Sequence, residues 1–249
     1  MIVFVHDVVT ILRRELLRYE RERVYLLGQI LLPVLAVVFI GLPAGRLGGD
    51  VDYASFLAAG VLMLTISSGA VGGGYTLIED VQRGFLRPIL VAPVSRTSIV
   101  VGKILARLLL SFLLVITMGL VLALFTDLRL AHPLMSLGAL AAVTFGFVAL
   151  GIVLATAVRR TESFRTVAVF ATVPLYFLSG MFFPIESLPD PMHLLALLNP
   201  LTYGVDLFRY GTMDVHELPL VADGLVLSAF AVLMTALAAR AFERRLTGP

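Results

Sequence analysis

Few residues in this chain could do covalent chemistry, and their spacing argues against most of it. The four histidines, His6, His132, His193 and His216, lie far apart. His216-Glu217 lacks the second histidine that a helical zinc-protease motif needs to bring two imidazoles onto one face. Ser67-Ser68-Gly69 offers hydroxyls, but no apolar run supplies a histidine to act as their base, so small-residue packing accounts for it better. The chain has no cysteine, which excludes disulfides, thiolate metal sites and thiol nucleophiles. The glycines at 69, 72, 73 and 74 are not followed by Lys-Ser/Thr, and no phosphate-binding loop of that kind occurs anywhere in the chain. We therefore expect no catalytic residue, no metal and no cofactor held by this chain, which is not read as an enzyme.

What remains is a charged passage, Ile78 to Lys103, between two long apolar runs. It is too polar to stay in a bilayer and too short to fold alone. Ile78, Val81, Phe85 and Ile89 would share a helix face, with Asp80, Arg83 and Arg87 directed away, which gives a short amphipathic element parallel to the membrane. Pro88 disfavours helix at Arg87. Pro93-Val-Ser95 is a second break, and Ser95 or Thr97 can cap the helix that follows. Lys103 and Arg107, one turn apart at the base of that helix, can extend toward the interface.

The elements around this passage are apolar. At 249 residues, 59% hydrophobic and 14% charged, the chain reads as an all-α, polytopic membrane protein. Residues 1–23 predict an interfacial amphipathic helix, with no signal peptide apparent. Six spans follow: 24–42, with a kink at Pro33; 53–77; 104–126; 134–158; 167–183, short and bent at Pro174; and 220–240. Residues 78–99 form the charged segment, and 159 to 165 an inner loop. The glycines of the second and fourth spans predict close helix packing, with Gly69 and Gly73 at GxxxG spacing. Residues 184–219 alternate apolar positions with prolines in pieces too short to span, as in a re-entrant or interfacial helical hairpin. Tyr176, Phe177, Phe182 and Phe183 gather near it as an aromatic belt would.

With six spans both ends share one side, and the cations decide which. Sixteen of the nineteen Lys and Arg residues fall at the N-terminus, in the 83 to 107 stretch, in the 159 to 165 loop and in the tail; only Arg46, Arg129 and Arg209 fall in the alternate loops. The positive-inside rule puts both termini and the charged passage in the cytoplasm.

Two stretches resemble the type-2 (ABC-2) permeases of ATP-binding-cassette exporters, in particular the daunorubicin-resistance and nodulation-factor export permeases. One is Glu79-Asp80 through Gly84 with LVAPVSRTSIVVGK, Leu90 to Lys103. The other is LSGMFFPIESLP, Leu178 to Pro189, with LNPLTYGVDLFR, Leu198 to Arg209. The resemblance covers nearly the whole chain. It implies a multi-pass permease of a prokaryotic plasma membrane, paired with a second copy or a paralogue. It further implies two copies of a cytoplasmic ABC ATPase subunit, which bind the ATP and magnesium. It assigns coupling to Glu79, Asp80, Arg83, Gly84, Phe85 and Arg87, positioning to Pro93, Ser95, Arg96 and Lys103, and an outer gate to Phe182, Phe183, Pro184, Asn199 and Pro200. Pro88 departs from the family pattern and bears on the length of the coupling helix.

Two other classes compete. An ion-coupled secondary transporter places ionisable groups at mid-membrane, and none of the six spans has one at its centre. A membrane assembly or scaffold protein would need no fuel. The apolar spans suit an amphiphilic, drug-like or lipid-linked cargo better than an ion or a sugar.

Overall fold

The computed structural model describes residues 23–45, 52–82, 96–158 and 160–247, together with Val9, Thr10, Leu12, Arg13 and Leu17. Most of the predicted interfacial helix 1–23, and residues 83–95 of the charged passage, lie outside the described residues. At Glu79, Asp80, Arg96 and Lys103 the backbone is described and the side chain is not.

All regular structure among the described residues is helical. Helix α1 (Arg23–Ala36) continues through a π-helical turn (Val37–Gly41) into one more α-turn (Leu42–Gly45). There follow α2 (Tyr53–Gln82), α3 (Arg96–Leu122), α4 (Pro133–Ala157) and α5 (Thr161–Phe177). A 3-10 turn (Ile185–Ser187) leads into two short helices, α6 (Asp190–Leu198) and α7 (Pro200–Met213), and α8 (Leu220–Thr247) ends the chain. Among the described residues, five segments are long and apolar enough to cross a membrane: Leu27–Gly45, Tyr53–Thr76, Ile104–Leu122, Pro133–Ala157 and Leu220–Ala241.

Local chemistry fixes where the helices start. Asp52 accepts from the backbone N–H groups of Ala54 (3.3 Å) and Ser55 (3.2 Å) and so satisfies donors that the first turn of α2 leaves free. Pro133 opens α4 and Pro200 opens α7, at positions where a missing N–H costs nothing.

Helix α2 is the hub. It is buried over nearly its whole apolar length, packs most extensively against α4, and also touches α1, α3, α5 and α7. The approach to α4 is close because both helices carry glycine at the crossing. A Cβ on Gly74 would collide with the Gly151 carbonyl, and one on Gly151 with the Val71 carbonyl. Gly73 packs beside Val148 of α4 and Gly146 beneath the Phe230 ring of α8, whereas Gly138, expected to aid packing, faces open space. The outward faces of α1, α3 and α8 are apolar and exposed, with Leu32, Leu120 and Val232 among them.

Three expectations are corrected. The segment 167–183 is not one helix: α5 begins six residues earlier, so Glu162 and Arg165 belong to its first turns and not to a loop. It ends at Phe177, where Gly180 (φ +73) turns the chain back. Ile78 to Gln82, expected to start a separate amphipathic element, continue α2, and Ile78 is buried. Arg107 does not extend toward the interface. It is buried in the bundle over Gly69, whose missing side chain leaves room for the guanidinium.

Candidate functional site

The most elaborate polar site lies at the end of the bundle where α2 begins, between α2, the 178–184 turn, α7 and the 214–219 loop. Its centre is Arg209, counted above among loop cations, but in fact on α7 and only 2% exposed. Nη2 donates to the carbonyls of Gly180 (2.7 Å) and Met181 (3.2 Å). Nη1 lies 3.6 Å from Oε1 of Glu217, and Cζ sits 3.4 Å from the centre of the Phe56 ring. A planar guanidinium can do this where a point-charge ammonium cannot, because one face stacks while the edge donates.

The neighbours hold the same loops. Glu217 Oε2 accepts from the Ile185 N–H (2.7 Å), and Asp206, one turn before Arg209, accepts from the N–H groups of Glu217 (2.8 Å) and Leu218 (2.9 Å). Tyr53 donates to the Phe182 carbonyl (3.1 Å), and Gly60 lets Met181 rest on α2, since a Cβ there would strike the Met181 carbonyl. Burial pushes the Arg209 pKa down to about 10 while Glu217 and Asp206 push it back up, so the guanidinium remains charged at neutral pH. Burial likewise raises the Glu217 carboxyl, with Arg209 opposing.

The expected gate residues lie in the 178–184 turn and at the start of α7, beside this site. Asn199 is buried and joins three elements: Oδ1 accepts from the Leu201 N–H (3.0 Å) to cap α7, and Nδ2 donates to the Leu175 carbonyl at the end of α5 (2.7 Å). Phe182 packs against Phe177 with ring centres 5.4 Å apart. Phe183 and Pro184 are exposed, and Pro200 starts α7. A further clasp ties the α3–α4 connection to the end of α7. Arg129 and His132 donate backbone N–H groups to Thr212 (3.1 Å) and Gly211 (2.8 Å), and the His132 ring stacks on Tyr210 and pairs with Asp214.

The expected coupling residues divide between two helix ends and the undescribed part of the chain. Glu79 and Asp80 occupy the last turn of α2, Arg96 opens α3 and Lys103 lies two turns on. Arg83, Gly84, Phe85, Arg87, Pro93 and Ser95 lie outside the described residues. The 30 residues of α2 extend about 45 Å, more than a hydrocarbon core of about 30 Å, so its final turns can project beyond the bilayer.

Sequence reasoning passed over Phe56, Gly60, Gly180, Asp206 and Glu217. One signal was available: Asp206 and Arg209 are three residues apart in a segment too apolar for an ordinary loop, the spacing at which a helix puts two charges on one face.

Glycine-mediated helix crossings, apolar outer faces and helices long enough to cross a bilayer define a polytopic helical membrane protein. The chain matches the ABC-2 type transporter family over residues 6–213 and belongs to it. It is 28% identical over 203 residues to the inner membrane transport permease YadH of Escherichia coli (strain K12), covering 79% of this chain and 78% of that one. It is 25% identical over 250 residues to nodulation protein J of Sinorhizobium fredii, covering 96% and 93%. With the ycf38 protein of Porphyra purpurea the identity is 27% over 214 residues, covering 83% and 74%.

Proposed function

We propose that this chain is the transmembrane subunit of an ATP-driven exporter, with α2 and α3 forming the lever through which a separate nucleotide-binding subunit moves it. The observation that carries the reading is the extent of the family match. It runs from residue 6 to residue 213 and so takes in both the charged passage and the hairpin of α6 and α7. In this reading α5, 17 residues and about 25 Å long, is a sixth crossing. The cation distribution supports a cytoplasmic position for both termini and residues 78–99. The hairpin 184–219 is then a re-entrant outer gate, and the 1–23 segment lies along the inner interface.

Glu79, Asp80, Arg83, Gly84, Phe85 and Arg87 dock in the ATPase, and Pro93, Ser95, Arg96 and Lys103 set the angle at which α3 leaves it. Two ATPase copies and a second permease, identical or paralogous, complete the assembly. The apolar faces favour an amphiphilic or lipid-linked cargo.

The absence of cysteine makes a direct test available. A single cysteine at 83 or 96 should resist a membrane-impermeant maleimide in intact cells and react once they are permeabilised; labelling from outside would refute the orientation. Asp80→Ala with Arg83→Ala should preserve insertion and uncouple ATP hydrolysis from export, and undiminished transport by that pair would refute the lever.

A further inference from the structure

Helix α5 is tied at both of its ends. Its principal packing partners are α2 and α4, and much of its outer face, including Val169 and Phe170, is exposed. Phe164, in its first turn, is 3% exposed and belongs to the same apolar core as Val71 of α2 and Ile152 of α4. A missing side chain makes its place: a Cβ on Gly74 would lie 3.0 Å from Phe164 Cε2 and would collide with the Gly151 carbonyl. The ring is therefore seated where α2 crosses α4. The next residue, Arg165, is exposed, yet its Cζ lies 5.2 Å from the centre of the Tyr75 ring on α2, within the range of a cation–π contact. Tyr75 precedes Glu79 by one helical turn, in the part of α2 that leads to the charged passage. At the other end of α5 the Leu175 carbonyl accepts from Asn199, the cap of α7, and the Phe177 ring packs against Phe182.

One helix thus connects the C-terminal part of α2 to the gate hairpin. Pro174, which withholds an N–H from the helix ladder, lies in the final turn of α5, so the shaft before it is unbroken. Close-packed interiors pass displacement on rather than absorb it. A ring seated in the notch alone would follow α2 and α4 alike. The Arg165–Tyr75 contact removes that ambiguity, because it engages α2 only.

We propose, resting on the lever reading above, that Phe164 and Arg165 are positioning residues that make α5 follow α2, so that movement begun at the lever reaches the gate hairpin through α5. Phe164 gives the helix its seat, and Arg165 ties that seat to α2 rather than to α4. Without the contact between guanidinium and ring, α2 can tilt while α5 stays with α4 and the hairpin keeps its place. The coupling is mechanical: α5 is a rigid element with two attachments, and its position is shared by α2 and the hairpin.

The test uses the complex purified from membranes through a tag on this chain and placed in lipid nanodiscs, with spin labels on introduced cysteines, since the chain has none of its own. A pair at 96 and 157, the start of α3 and the end of α4, reports the lever. A pair at the exposed positions Leu130 and Leu198 reports the hairpin. Distances are read by pulsed electron resonance without nucleotide and after trapping with ATP and vanadate. In the parent protein both pairs should shift. Arg165→Ala should keep the lever shift and ATP hydrolysis but lose the hairpin shift, and Tyr75→Leu should do the same. Tyr75→Phe, which keeps a ring face for the guanidinium, should behave as the parent. Phe164→Ala should also lose the hairpin shift, but it leaves a cavity, so the decision falls to Arg165→Ala, which leaves the core filled. A hairpin shift that survives in both R165A and Y75L overturns the proposal and leaves the lever standing, as does a parent in which the lever pair alone moves. A parent in which neither pair moves removes the lever reading and the proposal together.

Discussion

Arg209 and Arg107 are buried to the same extent, 2% and 3% exposed, yet they sit in unlike parts of the bundle. Arg209 lies near the start of α2 and is fixed by contacts from segments distant in the chain: the Phe56 ring, the carbonyls of Gly180 and Met181, and Glu217. Arg107 lies further along, over a glycine, with Gln29 of α1 on the same patch of α2. The first arrangement is a clasp: its loops cannot part without exposing an unpaired carboxylate or carbonyl. The second is a helix-to-helix surface in which Gly69, Gly74 and Gly151 keep backbones and one long side chain close.

The largest effect should come from breaking the clasp. Arg209→Ala leaves the half-buried Glu217 beside Asp206 without its cation, a change that costs up to about 3–5 kcal/mol where such a pair is fully buried. It should appear as a marked drop in the denaturant midpoint of the purified protein, followed by circular dichroism because the chain has no tryptophan. Arg209→Lys should recover only part of the loss, since an ammonium cannot stack on Phe56 and reach both carbonyls together. Full recovery by lysine would mean that charge alone matters and would remove the distinction drawn here.

The second region is tested at its glycines. Gly151→Ala forces a methyl against the Val71 carbonyl, and neither helix backbone can yield locally, so a cost of about 1–3 kcal/mol is expected. Gly69→Ala meets the Arg107 guanidinium, a side chain rather than a backbone carbonyl, and should cost less. Equal losses for the two variants would show that Arg107 is held as firmly as Arg209.

How much of this was legible follows from the same contrast. Helix identity was readable wherever apolar residues run past about 18 positions, because burial in lipid needs only composition and length. The α2 and α4 glycines announced a close crossing, although Gly74 and Gly151 form its tightest contact, whereas the GxxxG pair pointed to Gly69 and Gly73. Phe183 shows why the far end of α5 was misread: its apolar character continues the pattern past Phe177, and only the left-handed Gly180 ends the helix. Arg209 and Glu217 were unreadable as partners because their meeting depends on how the 178–184 turn and the 214–219 loop fold back, which no local spacing encodes. Asn199 was assigned to the gate by resemblance alone; its bonds to Leu201 and Leu175 show it capping α7 and tying it to the end of α5. Asn199→Ala removes a helix cap and should cost about 1 kcal/mol, less than the arginine and of the order of the tighter glycine.

The smallest effect is expected at the edge of the clasp, where exposure weakens every interaction. Asp214 ends α7 with φ 59°, a left-handed conformation that disfavours a side chain, and its carboxylate pairs with His132 in the open, the two side chains 66% and 42% exposed. Asp214→Gly relieves the backbone while removing an exposed hydrogen bond to His132 worth at most about 1 kcal/mol, so the two contributions nearly cancel. The melting temperature should move little. Asp214→Val removes the same charge but puts a β-branched side chain into the left-handed region, and it should be clearly less stable than the glycine variant. If glycine and valine were equally tolerated, backbone conformation would not matter at this turn, and the clasp would have to end before Asp214, at the Arg129–Thr212 and His132–Gly211 backbone bonds.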